Sequence, residues 1–205
     1  MRKPATNDAL RTAAVATAGG SLVRVIAGLE NAWFGARLVG RAFTVCGRAK
    51  DNLALHRGLA EASAGEVIVA QLVGKGEGGH WGGLMTIAAQ VRGIAGVVMG
   101  GTVRDRAEFA ARRFPVFHRG TCPCPAAKRV PGKLRVPIRL GGVVIEHGDL
   151  VVADDDGIVV VPERWIKRVT ADTLALIARE KAMAERLAKG ETSIKVLGLK
   201  LDGRR

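Results

Sequence analysis

Residues 78–108 read GGHWGGLMTIAAQVRGIAGVVMGGTVRDRAE, and this stretch decides the fold class. A glycine-rich loop ending at Gly82-Gly83 enters a predicted helix from Leu84 to Arg92, which Gly93 terminates. Ala95 to Met99 is a short apolar run suited to a buried strand. Gly100-Gly101 follows, and a second helix is predicted from Arg104 to Arg113. A strand–helix–strand crossover brings such loop ends close to one another. Each helix start carries unpaired N–H groups and partial positive charge, which suits an anion. Glycines at 82, 83, 100 and 101 let a ligand approach the backbone. Arg104 adds a planar fork matched to a carboxylate. Asp105 adds a hard oxygen ligand for Mg²⁺ or Mn²⁺, ions that keep most of their waters. Together these residues predict a small pocket for one carboxylate and one divalent cation.

Helical spacing continues outward over Asn7 to Ala18, and a second short helix is expected from Leu22 to Leu29. Leu38 to Val45, Glu66 to Leu72 and Pro115 to His118 read as strands. Asn52 to Ala62 reads as a helix capped by Asp51. Cys122 to Pro137 holds four prolines and reads as a long loop. Val143 to Ile145, Leu150 to Ala153 and Ile158 to Val161 are strand candidates. Pro162 opens a long C-terminal helix that runs to Gly190. Alternating elements followed by clustered strands indicate a mixed α/β sandwich rather than a uniform parallel sheet. One domain is expected over residues 1–205, with basic N- and C-terminal ends.

The chain has 205 residues, 48 % of them hydrophobic, which supports a real core. Its net charge is +13, but the basic residues are scattered, aromatics are 4 % and Tyr is absent. Stacking platforms for single-stranded nucleic acid are therefore poorly supplied, and specific nucleic-acid binding is not expected. No apolar run is long enough for a spanning helix. Three cysteines give no disulfide framework, and a reducing cytoplasm is expected.

Trp81-Gly82-Gly83-Leu84-Met85-Thr86, Gly93-Ile94-Ala95-Gly96-Val97-Val98 and Gly101-Thr102-Val103-Arg104-Asp105 carry a resemblance. Asp51 to Arg57, Phe114 to Phe117 and Gly148 to Gly157 support it. Over about residues 20–190 the chain resembles the regulator of ribonuclease activity A family. That family includes class II 4-hydroxy-4-methyl-2-oxoglutarate and 4-carboxy-4-hydroxy-2-oxoadipate aldolases. The resemblance implies a swivelling β/β/α fold with a C-terminal helix, and homotrimers or hexamers with sites between subunits. It implies that Asp105 holds the metal and that Arg104 grips the carboxylate of a small 2-oxo acid. The backbone around Gly82, Gly83, Leu84 and Met85 would hold the same pyruvyl moiety.

The aldolases keep an aspartate, then twenty residues, then Arg-Asp, two residues and an acid. Arg104, Asp105 and Glu108 fit, but Gly83 stands where the aspartate belongs. Retro-aldol cleavage removes a hydroxyl proton and needs a base. Decarboxylation of oxaloacetate reaches the same pyruvate enolate without one. Glu77 and His80 are candidate substitutes for the base, and Glu180 is a candidate acid from a neighbouring subunit. The expected activity is a metal-dependent lyase on small 2-oxo acids, of the oxaloacetate decarboxylase type, the 4-hydroxy-4-methyl-2-oxoglutarate aldolase type, or both. The alternative is a non-catalytic regulator like the ribonuclease-inhibiting members. No strand–glycine-loop–helix nucleotide site with a ribose-binding acid supports a methyltransferase. Cys122-Pro123-Cys124 reads as loop, and Asp154-Asp155-Asp156-Gly157 as a turn.

Overall fold

Val67, Ile68, Val69 and Ala70 are each 0 % exposed, so the strand they form is covered on both faces. The structure, a computed structural model, describes residues 9–200. Its first part holds α1 (Thr12–Gly19), β1 (Arg24–Ile26), β2 (Glu30–Asn31) and β3 (Leu38–Arg48). The middle holds α2 (Leu53–Glu61), β4 (Val67–Val73), α3 (Gly83–Val91), β5 (Gly96–Met99), β6 (Thr102–Val103), α4 (Arg106–Ala111), β7 (Val116–His118) and β8 (Gly120–Thr121). The last part holds β9 (Lys133–Leu134), β10 (Ile138–Leu140), β11 (Val143–Ile145), β12 (Leu150–Asp154), β13 (Gly157–Val161), α5 (Ile166–Ala188) and α6 (Ser193–Leu197).

A nine-stranded mixed sheet runs β1-β13-β12-β3-β4-β5-β7-β2, with β9 also on β3. β3, β4, β5 and β7 are parallel, and β1, β13 and β12 are antiparallel. Strand alternation sorts the core into layers. Ile68 and Ala70 face Leu55 and Leu59 of α2, Met85 and Ala89 of α3, and Phe109 of α4. Val67 and Val69 point the other way, into a cluster with Ile138, Ile145, Val151 and Ile158. Leu150, Val152 and Val161 form a further layer with Leu10, Val15 and Val169, under α1 and the start of α5. This is a mixed α/β fold with a C-terminal helix, as expected. Among the described residues no helix is long and apolar enough to cross a membrane.

Several boundaries differ from expectation. The helix expected at Leu22–Leu29 is instead a turn followed by β1, because Val25 and Ile26 pair with Val159 and Ile158 of β13. Edge pairing there overrides local helical spacing. Within the long proline loop, Leu134 pairs with Val45. β10, absent from the sequence reading, forms a hairpin with β11 around Gly141 and Gly142, both at positive φ. The helix expected from Arg104 begins at Arg106, which leaves Arg104 and Asp105 in the preceding loop. Asn7, Asp8 and the basic residues at both chain ends lie outside the described residues.

Ile68→Ala should lower stability by about 2–5 kcal/mol, because it empties a fully packed position under α2 and α3. Urea denaturation followed by circular dichroism measures this directly.

Candidate active site

The loop 78–82 is stitched to the strand before Arg104. His80 N–H donates to Thr102 O at 3.0 Å, and Arg104 N–H donates to Trp81 O at 3.0 Å. Thr102 Oγ1 donates to Gly78 O at 2.8 Å. Trp81 is fully buried, and its Nε1–H donates to Thr86 Oγ1 at 3.0 Å, which anchors the first turn of α3. The start of α3 and the Arg104-Asp105 pair are thereby held side by side.

Asp105 is the N-cap of α4 but makes no side-chain bond to its own helix. Its backbone is left-handed at φ 60°, and its Oδ2 accepts the N–H of Gly83 at 3.0 Å. Its carboxylate also lies 3.7 Å from Arg104 Nε, with both side chains about 42 % exposed. A Cβ at position 82 would sit 2.6 Å from Asp105 Oδ2, and one at 83 would collide with the Glu108 carboxylate. Gly82 and Gly83 therefore let two carboxylates press onto the start of α3.

A cavity of about 100 Å³ opens there. Gly79, Gly82, Gly83, Leu84, Met85, Arg104 and Asp105 form one wall, so six expected site residues come together. A second part of the wall is Asn52, His56 and Lys128, which the sequence alone does not assign. Asp51 builds this wall. Its buried carboxylate accepts N–H bonds from Leu53 at 2.9 Å, Arg129 at 2.7 Å and Val130 at 3.2 Å. Burial raises its pKa, but these three bonds and the Arg129 charge outweigh that, and the carboxyl sits below its ordinary value. The N-cap of α2 is Asn52 rather than the expected Asp51, yet Asp51 still accepts the first helical N–H, that of Leu53, and also pins the 127–130 loop that carries Lys128. Asn52 Nδ2 donates to His80 O at 3.0 Å, while its buried Oδ1 has no partner among the described residues. His56 is half-buried; burial first, and then the Lys128 charge, lower its pKa.

The other expected residues are placed differently. His80 is buried, with Nε2 accepting from Lys50 N–H at 3.0 Å and Nδ1 3.1 Å from Thr102 O. Both ring nitrogens are engaged, which fits a structural role better than the proton-accepting one considered for it. Burial, its leading influence, lowers its pKa. Glu77 is exposed and pairs with Arg119 at 3.8 Å, away from the cavity lining. Glu108 pairs with Arg112 at 3.6 Å. Glu180 lies exposed on α5, outside the lining. Cys122 N–H and Cys124 O brace the loop, through Val103 O and Gly79 N–H. Asp155 accepts the Gly35 N–H at 2.9 Å in the turn after β12.

Among the described residues no group of three or more His, Cys, Asp and Glu could cage a metal ion. A site of the hydrated Mg²⁺ type needs only one or two carboxylates. Asp105, with Glu108 beside it over two bare glycines, fits that type.

The RraA-like family model matches residues 8–160. The chain belongs to the Aldolase/RraA family. A Halalkalibacterium halodurans protein named "Putative 4-hydroxy-4-methyl-2-oxoglutarate aldolase" is 37 % identical over 73 % of each chain. An uncharacterized Methanocaldococcus jannaschii protein is 34 % identical, and the match spans 64 % of each chain, under two thirds of that relative. A crystal structure of an uncharacterized Pseudomonas syringae protein superposes with TM-score 0.84 at 31 % identity, covering 95 % of this chain and 93 % of that one. The RNA-processing inhibitor RraA from Thermus thermophilus superposes with TM-score 0.69 at 28 % identity, covering 75 % of this chain and 93 % of that one. The Aldolase/RraA match ends before α5, so the long C-terminal helix lies outside the matched segment.

Asp51→Asn should cost about 1–3 kcal/mol, because three part-buried N–H groups lose their charged acceptor. Thermal denaturation of the purified variant beside the wild type measures the loss.

Proposed function

We propose that this protein is a divalent-metal-dependent carbon–carbon lyase acting on small 2-oxo acids through a pyruvate enolate. The observation that carries this reading is the single cavity in which Arg104, Asp105 and the start of α3 converge. Arg104 presents its guanidinium fork to the substrate carboxylate. The N–H groups of Leu84 and Met85, in the first turn of α3, have no acceptor within the helix and serve the same anion. Asp105, supported by Glu108, would hold Mg²⁺ or Mn²⁺. When bound, such an ion supplies positive charge that stabilises an enolate. Arg104 adds preorganised charge at the same place.

Oxaloacetate decarboxylation fits this machinery as it stands, and cleavage of 4-hydroxy-4-methyl-2-oxoglutarate needs a base in addition, because Gly83 supplies none. The aldolase name of the Halalkalibacterium relative supports the lyase class. The alternative, a regulator of RNA processing, draws support from the likeness to the Thermus inhibitor. The formed Arg104–Asp105 cavity favours the enzyme.

The reading includes a trimer or hexamer. Leu84, Ile87 and Val91 form a stripe on α3 and are 82 %, 37 % and 84 % exposed. Leu84 also lines the cavity, so a second copy on this stripe would narrow its mouth. Light scattering should give a multiple of the 21.6 kDa chain mass. A stable monomer at micromolar concentration would count against the assembly.

Pyruvate release from both substrates should require Mg²⁺ or Mn²⁺, disappear with EDTA, and exceed a metal-only blank. Asp105→Ala should reduce the protein-dependent rate by about 10²-fold or more. Arg104→Lys should also be poor, since a point charge does not replace a planar fork. Rates no greater than the blank would sink the lyase reading.

A further inference from the structure

Among the cavity-lining side chains only Arg104, Asp105, Lys128, His56 and Asn52 carry polar groups. Arg104 and Lys128 are cations, and Asp105 is already engaged by Gly83 N–H and Arg104. Asn52 has an amide, which does not exchange protons at neutral pH. That leaves His56, whose ring makes no hydrogen bond or ion pair among the described residues and which lines the same cavity as Arg104 and Asp105. A small acid gripped by Arg104 lies in the cavity that His56 also lines.

We propose that His56 is the proton carrier of this lyase, acting on 4-hydroxy-2-oxo acids. The inference rests on the lyase reading and extends it to a residue outside the Arg104–Asp105 pair. A ring nitrogen of His56 takes the proton of the substrate C4 hydroxyl. The C4–O bond becomes a carbonyl as the C3–C4 bond breaks, and the released electron pair forms the enolate of pyruvate. The imidazolium then gives its proton to C3, which yields pyruvate and restores neutral His56. The proton is lent and returned, and no oxidant or reductant is needed.

Two features of the wall suit this task. Burial and the Lys128 charge keep the imidazole neutral near pH 7, ready to accept a proton. The same Lys128 charge repels the imidazolium and favours delivery to C3. His56 stands one helical turn after Asn52, on the face of α2 whose start Asp51 fixes. Position 83 bears no side chain that could do this work, and both nitrogens of His80 are engaged.

The test uses the full-length protein with Mg²⁺ and two variants, His56→Ala and His56→Gln, with circular dichroism confirming the fold. Cleavage of 4-hydroxy-4-methyl-2-oxoglutarate should lose about 10²–10⁴-fold in kcat, with KM changed only a few-fold. Exchange of the pyruvate methyl protons in D₂O, followed by NMR, should fall in parallel. Added imidazole should restore part of both rates to His56→Ala. Wild-type activity with His56→Ala or His56→Gln within about threefold of it would overturn the proposal alone, as would a loss that imidazole does not rescue. A wild type that decarboxylates oxaloacetate but neither cleaves the aldol nor exchanges pyruvate protons would overturn this proposal alone, whereas one that releases no pyruvate above the metal-only blank from either substrate would overturn the lyase reading and this proposal together.

Discussion

The continuity of β3 is the constraint on which the remaining structure depends. Leu38 to Arg41 pair antiparallel with β12, and Ala42 to Arg48 pair parallel with β4. One strand thus belongs to both halves of the sheet, and its side chains alternate between layers along its length. Phe43 and Val45 pack under the helices, while Leu38 and Ala42 pack toward β12 and β13. Past its end the chain turns through Lys50, which has positive φ, and reaches Asp51. The architecture therefore sets where the Asp51 carboxylate lies, and that carboxylate sets one wall of the site.

The two walls are made by different physics. The Arg104–Asp105 wall is assembled by backbone pairing between residues 78–81 and 102–104, with glycines removing side chains where carboxylates must fit. The Asn52–His56–Lys128 wall is assembled by one buried carboxylate that satisfies N–H groups from distant segments.

Legibility in the sequence followed the range of the interactions involved. The helices, the central strands and the first wall were readable because glycine pairs, apolar periodicity and a crossover are local signals. His56 and Lys128 were not, because the bond from Arg129 N–H to Asp51 joins residues 78 apart. No spacing rule marks such a contact. His80 looked like a free loop imidazole because its partners, Lys50 N–H and Thr102 O, are backbone groups with no side-chain signature. The short helix expected at Leu22–Leu29 failed for a similar reason: its competitor was pairing with a strand more than a hundred residues away.

The left-handed backbone at Asp105 sets thermodynamic stability against chemistry at one position. A side chain at φ 60° carries a conformational cost of order 1–3 kcal/mol that glycine avoids. Its carboxylate forgoes the ordinary capping bond to α4 and bonds to the neighbouring helix instead. A search for more heat-resistant variants would therefore be drawn toward glycine at 105. The same exchange would remove the acid through which the fold presents negative charge to its cavity, so screens on melting temperature alone would select against the site.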